Sequence, residues 1–409
     1  MAAMLFRGAR LIDPQTATET PGDLLVEGRQ VAAVGAALTP PENCEIIDCA
    51  GLILAPGLVD AGVFRADVAA ATAGGITSII LMPDQAPPLD DPALVERAQR
   101  LGKPQLWVRP LAAATQGLNG RDLAELGLMQ EAGAVAVATG RMAIADSRVM
   151  LRLLRYAAGL GLVVVTHAEC PFLTAGTVAT EGEPATRLGL AAAPACAEAV
   201  QIGRDVRLAR EAGCALHIAC VTTAEGIALV RRAQAVGQDV TAATTPDYAL
   251  LSESAIADYR SFARLSPPLR SESDRQAVRA ALADGTISVL TSRHDPRTPE
   301  EKRLPFADAA PGAAGAATLL ALGLQLVRED VLSLPQLMSR LSWAPAQRFG
   351  LAAGRLQPGA PADILLLDPA TPWRIDSAEL AGLAGNTPFD GTEVWGSLRM
   401  VLKGGEKLH

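Results

Sequence analysis

The stretch Pro56-Gly57-Leu58-Val59-Asp60-Ala61-Gly62-Val63-Phe64-Arg65 divides the chain in two. Its Pro-Gly turn closes a region of short strand candidates and opens a longer apolar run. It therefore reads as the exit from a small β domain and the first strand of a larger one. Alternate residues of a strand point to the same side, so Gly62 and Phe64 share a face.

Upstream of this stretch the strand candidates are Met4–Arg7, Leu24–Val26, Val31–Val34, Glu45–Asp48 and Leu52–Leu54, separated by turns such as Pro21-Gly22, Glu27-Gly28 and Pro40-Pro41. Near the other end, Asp363–Leu367, Val394–Trp395 and Leu398–Leu402 read the same way. Together they predict a small β-sandwich domain built from both chain ends, residues 1–55 and 355–409, around a central domain at 56–354.

Downstream, strands alternate with helices. The strand candidates are Val59–Phe64, Ile76–Met82, Leu106–Arg109, Ala134–Ala138, Leu162–His167, Ala215–Ala219, Asp239–Ala243 and Ile287–Ser292. Helical periodicity fills Asp91–Leu101, Asp122–Ala132, Ser147–Ala158, Ala195–Ala212, Thr223–Val236 and Asp274–Ala283 between them. Eight apolar strands with helical crossovers predict an α/β chain folded as a parallel (β/α)8 barrel of TIM type, with its chemistry at the C-terminal strand ends.

The 409 residues exceed one ordinary core, and 49% hydrophobic with 20% charged residues is a globular balance. A net charge of −8 argues against a nucleic-acid partner. Met1 to Pro14 lacks the apolar core of a signal peptide, and the apolar run Ala313 to Leu326 is too short to span a bilayer and predicts a buried helix. Six cysteines without Cys-X-X-Cys spacing predict reduced thiols in a cytoplasmic protein with no membrane contact. His409 is terminal and is given no role.

Several stretches, in this order and spacing, resemble dihydroorotase, of the amidohydrolase superfamily, over nearly the whole chain. They include Pro56–Asp60, Gly74-Gly75-Ile76-Thr77, Glu131–Ala136, Thr166-His167-Ala168-Glu169 and Leu216-His217-Ile218-Ala219. Pro267-Pro268-Leu269-Arg270, Asp284–Ile287, Pro361-Ala362-Asp363 and Asn386-Thr387-Pro388-Phe389 complete the series. The resemblance implies opening or closing of a cyclic amide by one or two zinc ions. These activate water and polarise a carbonyl, while a carboxylate at the last strand handles the proton.

Carried over position by position, that metal site is not there. The His-X-His pair of the first strand is Gly62 and Phe64, and the aspartate turn after the fourth strand reads Ala138-Thr139-Gly140-Arg141. His167 survives on the fifth strand. Cys220 stands at the histidine ligand place of the sixth, and Arg293 replaces the aspartate of the eighth. A permanent cation there opposes a divalent metal. Remnants of substrate contacts are Arg65, Asp84, Ser266 and Arg297.

These substitutions point to a catalytic set of none, a metal set of none, and Phe64 filling the former metal space. By resemblance to non-catalytic dihydroorotases, the expected role is a structural or regulatory partner of aspartate carbamoyltransferase in pyrimidine biosynthesis, with the chain itself a homodimer. Two alternatives remain open: an active cyclic amide hydrolase with a mononuclear zinc site on His167 and Cys220, or a metal-free module binding a small anion through Arg65 and Arg297. His294, between Arg293 and Asp295, suggests an ion-pair cluster in the vacant site.

Overall fold

The protein, described by a computed structural model over residues 3–408, contains two large sheets. Met1, Ala2 and His409 lie outside the described residues. The central sheet is parallel, with strands Leu58–Val63, Ile76–Leu81, Trp107–Ala113, Ala136–Ala138, Val164–Thr166, Leu216–Ile218, Val240–Thr244 and Val289–Leu290 side by side in chain order. Each strand falls within or beside one of the eight apolar runs of the sequence. Strands buried on both faces carry continuous rather than alternating apolar residues, which is why they are readable.

The connecting helices start where short polar side chains cap their free N–H groups. Asp91 caps Pro92–Ala98, Asp146 caps Ser147–Gly159, Thr223 caps Ala224–Ala235 and Ser271 caps Glu272–Asp284. The apolar run after Ala313 becomes a 3-10 turn, Ala316–Thr318, followed by the helix Leu319–Arg328, whose leucines are buried. No helix among the described residues is long and apolar enough to cross a membrane.

Side chains join the first and last strands and nearly close the sheet into a barrel. Asp60, fully buried, accepts from Thr291 Oγ1 at 2.7 Å and from the Ser292 backbone N–H at 2.8 Å, and also from the Ser292 hydroxyl. The Phe64 N–H donates to the His294 carbonyl at 2.9 Å just beyond. The barrel interior is filled by a cluster that includes Val59, Ile80, Leu111, Val165, Val289 and Phe64.

The second sheet draws on both chain ends. Met4–Asp13, Thr18–Glu27, Gln30–Gly35, Glu45–Asp48 and Ile53–Pro56 combine with Ile364–Arg374, Glu393–Lys403 and Glu406–Lys407. Hydrogen bonding runs continuously through all eight. The two short candidates Val394–Trp395 and Leu398–Leu402 are one strand, because its pairing with Ile364–Arg374 absorbs register shifts rather than a turn. Pro56 pairs with Ile364, so this sheet ends where the barrel begins.

Candidate functional site

A cavity of about 250 Å³ opens at the C-terminal ends of the barrel strands. Phe64, Arg141, His167, Asp247, Ser292 and Arg293 reach it from five of the eight strand ends, and Ser266, Asp295 and Arg297 line it from loops.

Phe64 is buried, and its ring is covered by the Arg141 guanidinium 3.8 Å from its centroid, with that of Arg293 at 5.3 Å. Gln85 Nε2 holds the Phe64 carbonyl at 3.1 Å. Gly62 lies at a register shift of the first strand with φ 84°, a conformation L side chains rarely adopt. An imidazole at that position would strain the backbone, although the nearest atom to an added Cβ is Met82 Sδ at 3.9 Å.

The turn after the fourth strand is held by charge. Asp84 accepts the Arg141 N–H at 2.8 Å and packs so close to Gly140, φ 82°, that a Cβ there would meet its Oδ1 at 2.9 Å. Arg141 then forks onto Asp295, at 2.5 and 2.9 Å. Arg297 donates to the same carboxylate at 2.8 Å, to the Pro311 carbonyl at 2.9 Å, and faces Glu301 at 3.8 Å. Burial pushes the Asp84 carboxyl above its ordinary range despite Arg141, and its Oδ2 has no hydrogen-bond partner.

On the fifth strand, Thr139 Oγ1 accepts the His167 N–H at 3.1 Å, and His167 Nε2 faces Glu169 at 3.3 Å. Glu169 in turn receives Arg270 at 3.0 Å. Burial pushes the Glu169 carboxyl up, but His167 and Arg270 outweigh it and hold the group below its usual value. Arg270, almost wholly buried, also donates to Thr222 and Thr180 and lies 3.8 Å from the fully buried Glu198.

Four expectations are corrected by this geometry. Arg65 is exposed and does not line the cavity, because the chain turns outward after Phe64. Arg297 lines it, but acids and a carbonyl occupy its guanidinium. His294 leaves the expected ion-pair cluster; it faces Asp67 at 3.4 Å while its Nδ1 accepts the Ala316 N–H at 3.2 Å. The ion-pair cluster that does exist joins Arg141, Asp295 and Arg297, and Arg293 takes no part in it.

Cys220 packs in the main apolar core, does not line the cavity, and burial pushes its thiol up to about 12. His217 bonds Thr241 Oγ1 at 2.8 Å and meets the Phe349 ring edge-on. Among the described residues no three His, Cys, Asp or Glu side chains stand together in a way that could hold a metal ion. The donor set therefore does not fit zinc, which needs three or four such ligands.

Sequence reasoning missed Arg141 as a cavity residue, although it stands in the very turn that replaces the aspartate ligand. It also missed that the Thr166–Glu169 and Pro267–Arg270 stretches meet through their charges.

The near-closed parallel barrel, completed by a sheet from both chain ends, is shared with solved hydantoinase structures. L-hydantoinase (dihydropyrimidinase) from Arthrobacter aurescens superposes with a TM-score of 0.89 at 27% identity, covering 100% of this chain and 96% of that one. Dihydropyrimidinase from Brevibacillus agri shares the fold at 23% identity, TM-score 0.84, over 99% and 95% of the two chains. A sequence model described as dihydro-orotase-like matches residues 53–226. Dihydroorotase of Citrifermentans bemidjiense is 38% identical over 416 residues, 98% of each chain. A dihydroorotase-like protein of Pseudomonas aeruginosa is 37% identical over 424 residues, again 98% of each. The chain belongs to the dihydroorotase family.

Proposed function

We propose that this chain is a non-catalytic dihydroorotase of the cytoplasm, a homodimer that serves pyrimidine biosynthesis as a structural partner of aspartate carbamoyltransferase. The observation that carries the reading is the composition of the barrel mouth. By the resemblance, Gly62, Phe64, Thr139-Gly140, Cys220 and Arg293 take the metal-ligand places, and the described residues supply no cluster able to hold a metal. The fold around them is intact, with the seam at Asp60 fully bonded. A chain that keeps its scaffold while its site fills with guanidinium and phenyl groups keeps a surface and a shape rather than a hydrolytic centre.

Co-expression with the aspartate carbamoyltransferase of the same organism, followed by sizing and assay, tests the partnership. Co-elution, with transferase activity that falls when this chain is withheld, is the expected result. Separate elution of a fully active transferase overturns it.

The relatives' name, dihydroorotase, favours a competing reading: an active cyclic amide hydrolase with metal on His167 and Cys220. That reading requires near-stoichiometric zinc in the purified chain and turnover of dihydroorotate or carbamoyl aspartate. Neither is expected.

A further inference from the structure

Among the described residues, Arg293 is the guanidinium of the barrel mouth that forms no ion pair. It is only 9% exposed and lines the cavity, yet no carboxylate among the described residues is paired with it. Its side chain makes a single long hydrogen bond, from Nη1 to the Ala219 carbonyl at 3.5 Å. Its backbone is left-handed, φ 45°, a costly conformation outside glycine that tends to persist where surroundings over-determine it. A buried charge is normally paired, because removal from water without a partner is strongly unfavourable.

The acids near it do not supply that partner. Asp295 is engaged by Arg141 and Arg297. Asp247 accepts from Thr245 Oγ1 at 2.6 Å and Asp84 from the Arg141 N–H at 2.8 Å, and neither forms an ion pair with Arg293, although its charge draws both carboxyls down against the upward push of burial. The Arg293 guanidinium thus lines the cavity without an ion-pair partner among the described residues, beside the apolar surfaces of Phe64, Leu265, Pro311 and Ala313.

We propose that this cavity binds a small organic carboxylate, its two oxygens on the planar fork of Arg293 and its body against Phe64 and Leu265. A planar two-oxygen acceptor matches the guanidinium fork. A phosphate or sulfate needs donors on several sides, and the neighbouring hydroxyls are committed: Ser292 to Asp60, Tyr248 to the Pro267 carbonyl and Thr245 to Asp247. The mostly apolar walls favour a ligand with a flat hydrocarbon body over a bare anion. The site is independent of any partnership with the transferase, so a failure here leaves the proposed function standing, and the reverse also holds.

The test is calorimetric titration of the purified full chain with benzoate, beside benzamide as its uncharged counterpart and inorganic phosphate as the tetrahedral anion. Saturable binding of benzoate in the millimolar range or tighter is expected, with no heat from benzamide or phosphate. Arg293→Met should weaken benzoate roughly tenfold to a hundredfold, the usual loss of a charged hydrogen-bonding partner. Arg293→Lys, which keeps the charge and loses the fork, should fall between. Arg65→Met, outside the cavity, should bind as the parent does. Absence of benzoate binding, equal binding of phosphate, or undiminished binding by whichever of the two Arg293 variants folds would each overturn the proposal.

Discussion

Arg270 and Arg293 carry the same charge at nearly the same depth, 2% and 9% exposed, one behind the barrel mouth and one inside it. Arg270 donates to Glu169, Thr222 and Thr180 and lies beside Glu198. Arg293 has one long bond to a carbonyl. The difference separates a cation that the fold is built around from one that the fold merely tolerates. Buried charge is therefore no guide to role until its partners are counted.

Four substitutions press on that comparison. Arg270→Met should be the most damaging, since it strands Glu169 and Glu198 in the interior. A loss of about 3–5 kcal/mol is expected from breaking a buried pair in this way, read as a fall in the urea midpoint at unchanged slope. A loss below that of a surface variant would erase the distinction. Asp60→Ala removes the acceptor for Thr291 and Ser292, and about 2 kcal/mol or more should go with the orphaned donors, seen in the same unfolding curves.

Lys302 is an intermediate case, a buried cation satisfied, among the described residues, by the Ser261 and Arg264 carbonyls at 3.0 and 3.2 Å. Burial, with Arg297 and Arg264 nearby, lowers its ammonium from 10.5 to about 7. Between those values the unfolded chain holds the proton and the folded chain does not, so stability should climb as pH rises through that window. In Lys302→Met this climb should be reduced; an identical pH profile would show that Lys302 stays charged. The smallest effect belongs to Arg293→Met, which removes an unpaired buried charge. The ligand-free protein should unfold within about 1 kcal/mol of the parent or later than it. A loss as large as that of Arg270→Met would make Arg293 structural.

The barrel was legible because parallel strands and their crossover helices write themselves locally, as at Ile76–Leu81 and Ser147–Gly159. The framework stretches also let the resemblance assign ligand places to particular residues. What could not be read was where the charged side chains turn. Arg141 reaches Asp295 across 154 residues, and Arg270 reaches Glu169 across 101. Such pairs leave no periodicity in either segment. Arg65 and Arg293 look equally promising as cations in the sequence; only the backbone after Phe64 and the left-handed turn at Arg293 decide which one enters the barrel.

The seam at Asp60 also sets a timetable. Its partners Thr291 and Ser292 lie 231 and 232 residues downstream, and Ile364, which pairs with Pro56, is later still. A chain emerging from the ribosome must hold the first barrel strand with one edge unpaired until most of its length has been made. Open edges of this kind invite pairing with other chains. A nascent chain stalled before Thr291 should thus depend on chaperones far more than one released after Ile364, and the barrel should resist protease only once Ser292 has been made, with the sheet of the chain ends following later still.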